Sequence, residues 1–346
     1  MKPPLNSTKP GRLAQGLGIG LIALVFYAML AAMVLAASFV LLQRGITPQL
    51  PWIAAVQEHL YMKAMRSIWQ NKADCVDFDE ELIYKPKLGA CQFSNVEFDT
   101  TLNFSAEGRS TGPKPAGLGI AVIGDSHAMG WGVQDEETFS AILQQLSKRP
   151  VFNLGVASYG TARELIRLKR SGILDKVDTI ILQYCGDDLK ENLSRLNNTI
   201  TKEESHKRFD RVTRGRMTHG RLLRTVLKAY GRTFMYPFNP QKASSNEHET
   251  DFSSHYRALM AVLATHPELE EKRILVFYSN GHGQPFQNFP NGLDKKMQNV
   301  EFISLDIPAD DYYRLDDHMT PKGHSNLARR LLAAIKQNPP AAKLQR

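Results

Sequence analysis

Three short stretches hold residue types that together can open an ester. Gly124-Asp125-Ser126 closes the apolar run Leu118 to Ile123 and stands ahead of a helical stretch starting near Glu136. A serine on a tight turn between strand and helix presents its hydroxyl at a sheet edge. Backbone N–H groups of the incoming helix can then receive a developing oxyanion. Such a serine needs a base to take its proton, a group to orient the base, and donors for the oxyanion. The best base is His318 in Leu315-Asp316-Asp317-His318-Met319-Thr320-Pro321, just ahead of a C-terminal helix with Pro321 in its first turn. Asp316 or Asp317 can orient the imidazole; a residue two positions back folds alongside the ring more readily, which favours Asp316. The Gly155 N–H, following Val151-Phe152-Asn153-Leu154, is the natural oxyanion donor beside that of Ser126.

The elements that must position these residues alternate along the chain. Strand-like runs are expected at 118–123, 150–154, 179–184, 273–278 and 300–303, with helices at 136–147, 161–171, 252–265 and 321–337. Short apolar strands separated by amphipathic helices imply a parallel sheet covered on both faces. Ligand sites in such sheets lie beyond the carboxyl ends of the strands. Gly124, Gly155 and Cys185-Gly186 all fall at such ends.

On these residues the stretch from about 118 to 337 resembles the SGNH (GDSL-type) hydrolase family. Gly124-Asp125-Ser126 matches its nucleophile block, Asn153-Leu154-Gly155 its second block, and Asp316-Asp317-His318 with Gly323-His324 its closing block. The run Gly124 to Phe139 is especially similar to members acting in bacterial envelopes. The resemblance implies a three-layer α/β/α sandwich with a parallel central sheet, an acyl-serine intermediate, no metal and no cofactor. Substrates in such a family include acylated glycans, lipids and small esters, and some members transfer the acyl group. The third block departs from the pattern. The family has Gly-x-Asn-Asp, whereas this chain reads Cys185-Gly186-Asp187-Asp188, so Asp187 stands where an oxyanion-binding Asn is expected. Losing one such donor costs about 2.7–4 kcal/mol. Asp187 serves only if burial keeps it protonated; Asn192 is the alternative donor. His127 reads as a packing or substrate-facing residue, His324 as a second-shell or helix-surface residue, and Trp131 as core or as a wall for a sugar ring.

The chain has 346 residues, 42% apolar and 23% charged, enough for a real core. Leu17 to Leu42 contains no charged residue. A helix of about 20 residues crosses the hydrocarbon layer, whereas a cleaved signal has an apolar run of only about 7–15. An uncleaved anchor is therefore expected at 17–42. Lys2, Lys9 and Arg12 precede it, which leaves 1–16 in the cytoplasm and the rest outside. The implied location is the inner membrane, single-pass, with the catalytic domain periplasmic or extracytoplasmic. Residues 43–112 are read as a stalk or docking helix, Trp52 to Trp69, followed by an irregular extended segment. An oxidising compartment allows Cys75 and Cys91 to pair within it, leaving Cys185 as a buried thiol. The catalytic domain spans 113–340.

Positive charge is concentrated within an insertion at about 195–250. Residues 201–246 hold eleven Lys and Arg against Glu203, Glu204 and Asp210, an excess equal to the +8 of the whole chain. A short helix at 221–230 and a loop at 239–250 are expected there. Outside the cytoplasm such charge suits anionic headgroups or an acidic glycan, and no nucleic-acid partner is expected. The sequence thus predicts a serine ester hydrolase of the envelope. The alternatives are an envelope glycan O-acyltransferase working with a membrane acyl-donor protein, and a non-catalytic glycan-binding module.

Overall fold

The fold is that of a computed structural model, which describes residues 12–44, 46, 57–58, 61–197, 200–214, 252–279, 299–305 and 307–337. Helix α1, Arg12–Gln43, contains the run Gly18–Ser38, whose mean hydropathy of 2.6 and length suffice to cross a membrane. Its Leu, Ile, Phe and Met side chains are exposed around the helix rather than along one stripe.

The chain then forms β1 (Val76–Asp79), β2 (Ile83–Pro86), β3 (Gly89–Asn95), β4 (Phe98–Ser105), β5 (Gly108–Arg109) and β6 (Gly119–Ile123). After α2 (Ser126–Met129) and α3 (Phe139–Ser147) come β7 (Val151–Asn153), α4 (Thr161–Arg170), β8 (Val177–Tyr184), α5 (Asp188–Asn197) and α6 (Lys202–Thr213). α7 (Phe252–Ala264), β9 (Arg273–Tyr278), β10 (Val300–Ile303) and α8 (Pro321–Gln337) complete the described elements.

The main sheet runs β10-β9-β8-β6-β7-β5-β4-β3. β10 to β7 pair in parallel, and all five residues of β6 are buried, as expected of a strand covered on both faces. Alternation along β6 separates two cores. Ala121 and Ile123 face α4 and α7 through Leu165, Leu168, Leu259 and Leu263. Ile120 and Val122 face α3 and α8 through Phe139, Leu143, Leu327 and Leu331. The result is a three-layer α/β/α sandwich.

Residues 75–112 depart from the expected irregular segment. β3, β4 and β5 extend the sheet in antiparallel fashion, β5 bonding to β7 through Arg109 and Asn153. The alternating burial of β4 (Phe98, Thr100, Leu102, Phe104 inward) gives the hairpin a core-facing side. Cys75 and Cys91 are disulfide-bonded, with Cα atoms 5.1 Å apart, and tie the segment before β1 to β3. The stretch read as one helix from 52 to 69 is also different. Tyr61–Met65 is a single π turn, Ile68 is extended, and Trp69–Asn71 is a 3₁₀ turn. Trp69 leaves the helical path because it is fully buried against Tyr84 and Phe104, so this stretch packs into the domain. Residues 52–56, 59–60, 221–230 and 239–250 lie outside the described residues.

Candidate active site

Ser126 begins α2, directly after β6. Asp125 caps that turn by accepting the His127 N–H at 2.9 Å, and its own N–H donates to Gln183 Oε1 on the neighbouring strand. Gly124 has φ +147, and a Cβ there would lie 2.6 Å from the Ala128 Cβ, so the turn needs glycine at this position.

The loop from 311 to 320 brings the other motif to this turn. It is closed by the Tyr312–Met319 bridge and by the Thr320 N–H bonding to the Asp311 carbonyl. Within it, His318 Nε2 lies 2.6 Å from Ser126 Oγ, and His318 Nδ1 lies 2.5 Å from Asp316 Oδ1. A carboxylate can only accept, so the Nδ1 proton points to Asp316 and Nε2 is left to accept the serine proton. Asp316 is fully buried. Burial alone would raise the pKa of Asp316, but the His318 charge and hydrogen bond, followed by Arg66 and Tyr61, hold it below the usual carboxylate range. Burial likewise disfavours the charged form of His318; the carboxylates of Asp316 and Asp317 outweigh it and push His318 up to about 9.

Two residues with no place in any sequence motif complete this arrangement. Tyr61 OH donates to Asp316 Oδ2 at 2.5 Å. Arg66 Nη2 lies 3.2 Å from Asp316, 2.8 Å from Asp317 and 3.0 Å from His318 Nδ1. Ligand atoms of Asp316, Asp317 and His318 lie close enough together to hold a metal ion. The guanidinium already occupies the cation's place among them. Trp131 forms a wall of the triad: its ring stacks on His318 at 4.8 Å, Arg66 lies 5.1 Å from its centroid, and its N–H approaches Asp316. Glu97, in the turn between β3 and β4, accepts the N–H groups of Arg314, Leu315 and Asp316, each at 2.9 Å. The antiparallel hairpin therefore fixes the loop that carries the acid and base. The only sequence trace of Arg66 is that no other arginine occurs between 45 and 108.

The oxyanion side needs correction. A pocket of about 270 Å³ opens at Ser126 and His318, and Gly155 does not line it. The Gly155 N–H is turned onto Asn153 Oδ1 at 3.1 Å, and a Cβ at 155 would sit 2.4 Å from the Met129 nitrogen. This glycine permits close packing on α2. Ser158, three residues on, does line the pocket. It holds a left-handed backbone (φ +61), and among the described residues neither its N–H nor that of Ser126 has an acceptor. Gln70 Nε2 donates to its hydroxyl and Arg163 Nη2 to its carbonyl, fixing the turn. The signal that could have found it is the turn-forming Ser158-Tyr159-Gly160 immediately ahead of α4.

Asp187 stands on the pocket wall and is exposed, not buried. Asn192 is buried under α4, where it accepts the Ala162 N–H, and it does not line the pocket. His127 is buried beside His318, ring centroids 4.7 Å apart, and burial followed by the His318 charge lowers it to about 4. His324 is on the opposite side, accepting the Phe139 N–H and stacked on that ring, away from Ser126. Cys185 is a buried free thiol, pushed up by burial.

No protein-family model matches the chain, and no curated protein matches it. Six chains of solved structures are similar, two of which illustrate the level of likeness. One is a protein from Desulfitobacterium hafniense DCB-2 described as lipolytic and of the G-D-S-L family, at 14% identity and TM-score 0.29, covering 62% of this chain and 98% of its own. The other is TesA, at 16% identity and TM-score 0.20, covering 44% of this chain and 98% of its own. Likeness at this level leaves the site to stand on its own geometry.

Proposed function

We propose that the protein is a serine-dependent ester hydrolase of the SGNH type. The observation that carries this reading is the continuous Ser126–His318–Asp316 hydrogen-bond chain at a pocket. Ser126 Oγ attacks the ester carbonyl while His318 Nε2 takes its proton. Asp316 orients the ring and stabilises the imidazolium, the N–H groups of Ser126 and Ser158 receive the oxyanion, and His318 returns the proton to the leaving alcohol. Water then attacks the acyl-serine with His318 again as base. No step requires a metal or cofactor.

The apolar exterior of α1 supports a single membrane crossing, and the charges before it support a cytoplasmic N-terminus with the catalytic domain outside. Protease accessibility of the domain in spheroplasts tests that orientation; protection from protease contradicts it. The same acyl-serine could pass its acyl group to a glycan hydroxyl in place of water. Incubating purified full-length protein with p-nitrophenyl acetate and a glycan acceptor separates the outcomes. The hydrolase reading expects free acetate and p-nitrophenol in equal amounts. Acetyl groups accumulating on the glycan would instead identify a transferase, and absence of turnover would leave only a binding module.

A further inference from the structure

A groove of about 790 Å³ runs from the catalytic pocket toward α6, and Ile68, Gln70, Ser158, Asp187 and Glu191 line both. Its walls carry an excess of cations, although Asp187 adds an exposed carboxylate where the groove meets the pocket. Arg163 is neutralised by Glu191, and Arg208 by Glu204. Lys190 on α5 and Lys207 and Arg211 on α6 are exposed and have no acidic partner among the described residues. Lys207 and Arg211 are four residues apart, on one face of the helix.

The helix that carries Lys207 and Arg211 is held in place by packing. Thr201 caps α6 by accepting the Glu204 N–H, His206 stacks on Phe78 at 3.8 Å, and Ser205 bonds to the Glu80 carbonyl. Phe209 and Val212 pack on the hairpin core. Exposed cations without acidic partners among the described residues, on the wall of a groove that opens into the pocket, attract an anionic substrate.

We propose that this groove binds a polyanion, and that the substrate is a short-chain O-ester carried on an acidic glycan. The ester half of the statement rests on the hydrolase reading above. The pocket at Ser126, about 270 Å³, has room for a short acyl group, and the groove beyond it for the chain that carries the ester. Beyond it most residues on the groove wall are charged or polar, while carbon atoms supply the larger part of its surface; a sugar chain with carboxylates offers both kinds of contact. A single-stranded nucleic acid would want exposed aromatic platforms. The aromatic side chain of the groove, Tyr84, is buried, with its OH bonded to the Ala157 carbonyl.

The test uses detergent-solubilised full-length Ser126→Ala protein, so that binding is read without turnover. Polygalacturonate is expected to bind, more weakly as salt rises from 50 to 500 mM, while neutral dextran does not. The double variant Lys207→Glu/Arg211→Glu should weaken polygalacturonate binding at least tenfold. Lys207→Gln/Arg211→Gln should weaken it less, and Arg329→Glu, an equal kind of charge change on α8, should leave it unaltered. Circular dichroism confirms that each variant is folded. No polygalacturonate binding, equal binding by the double variant, or a preference for single-stranded DNA or short-chain phosphatidylglycerol overturns the proposal. Turnover of p-nitrophenyl acetate by the parent is scored separately. Its absence sinks the hydrolase reading while the binding result still decides the groove.

Discussion

The two ends of the triad are built from different kinds of structure. Ser126 stands on a parallel strand end, in a turn whose cap, glycine and helix are all within a few residues. Asp316 is held from the other side of the molecule, by Tyr61 and Arg66 from the stretch after α1 and by Glu97 from the antiparallel hairpin. The nucleophile is thus positioned by local geometry, and the acid by contacts spanning more than 200 residues of chain. A buried carboxylate needs every lone pair satisfied if it is to stay ionised. That demand explains why the N-terminal flank is folded onto the domain and does not stand apart as a stalk.

Variants separate the two ends. Ser126→Ala should abolish turnover, a fall of about 10⁴-fold or more in kcat, with the fold retained by circular dichroism. Asp316→Asn should cost about 10⁴-fold, since an amide can no longer hold the Nδ1–H tautomer. Tyr61→Phe tests the flank directly. A hydrogen bond to a charged group is worth about 1.5–3 kcal/mol, so kcat/KM should drop about tenfold to a hundredfold. Unchanged kinetics in Tyr61→Phe would show that the flank is only packing.

The pH dependence sharpens the same distinction. His318 must be neutral to act as base, and its neighbours push it up to about 9. kcat/KM should therefore rise about tenfold per pH unit below that value and level off above it. Arg66→Gln removes a cation 3.0 Å from Nδ1, which favours the imidazolium, so the rising limb should move about one unit higher. A limb that stays in place, or moves down, contradicts the role given to Arg66. The smallest effect on turnover is expected from Cys75→Ser with Cys91→Ser. Losing a cross-link of this loop size costs about 3 kcal/mol of stability, readable as a lower Tm, with kcat nearly unaltered.

Most of the scaffold was legible because its signals are local. The five parallel strands and the four helices expected with them coincide with the sequence reading to within three residues, since apolar runs and amphipathic periods report burial directly. Ser126 was legible because it stands just past a strand, and Asp316 and His318 because they stand two residues apart just ahead of the C-terminal helix. The hairpin was legible as well: Phe98, Thr100, Leu102 and Phe104 alternate with more polar positions, the pattern of a half-buried strand, and the reading of 75–112 as irregular passed over it. Gly155 was assigned to the oxyanion by its place after a strand. Its N–H is instead turned onto Asn153, and the free N–H falls at Ser158, a shift in backbone direction that residue type does not encode. Tyr61 and Arg66 carry no local signal because their partners are about 250 residues away.

The central claim is that Ser126 is the reactive nucleophile, and labelling by a fluorophosphonate followed by peptide mass spectrometry tests it most directly. One adduct is predicted, on Ser126, absent from Ser126→Ala and strongly slowed in His318→Ala. An adduct on another residue, or labelling undiminished in Ser126→Ala, would contradict it.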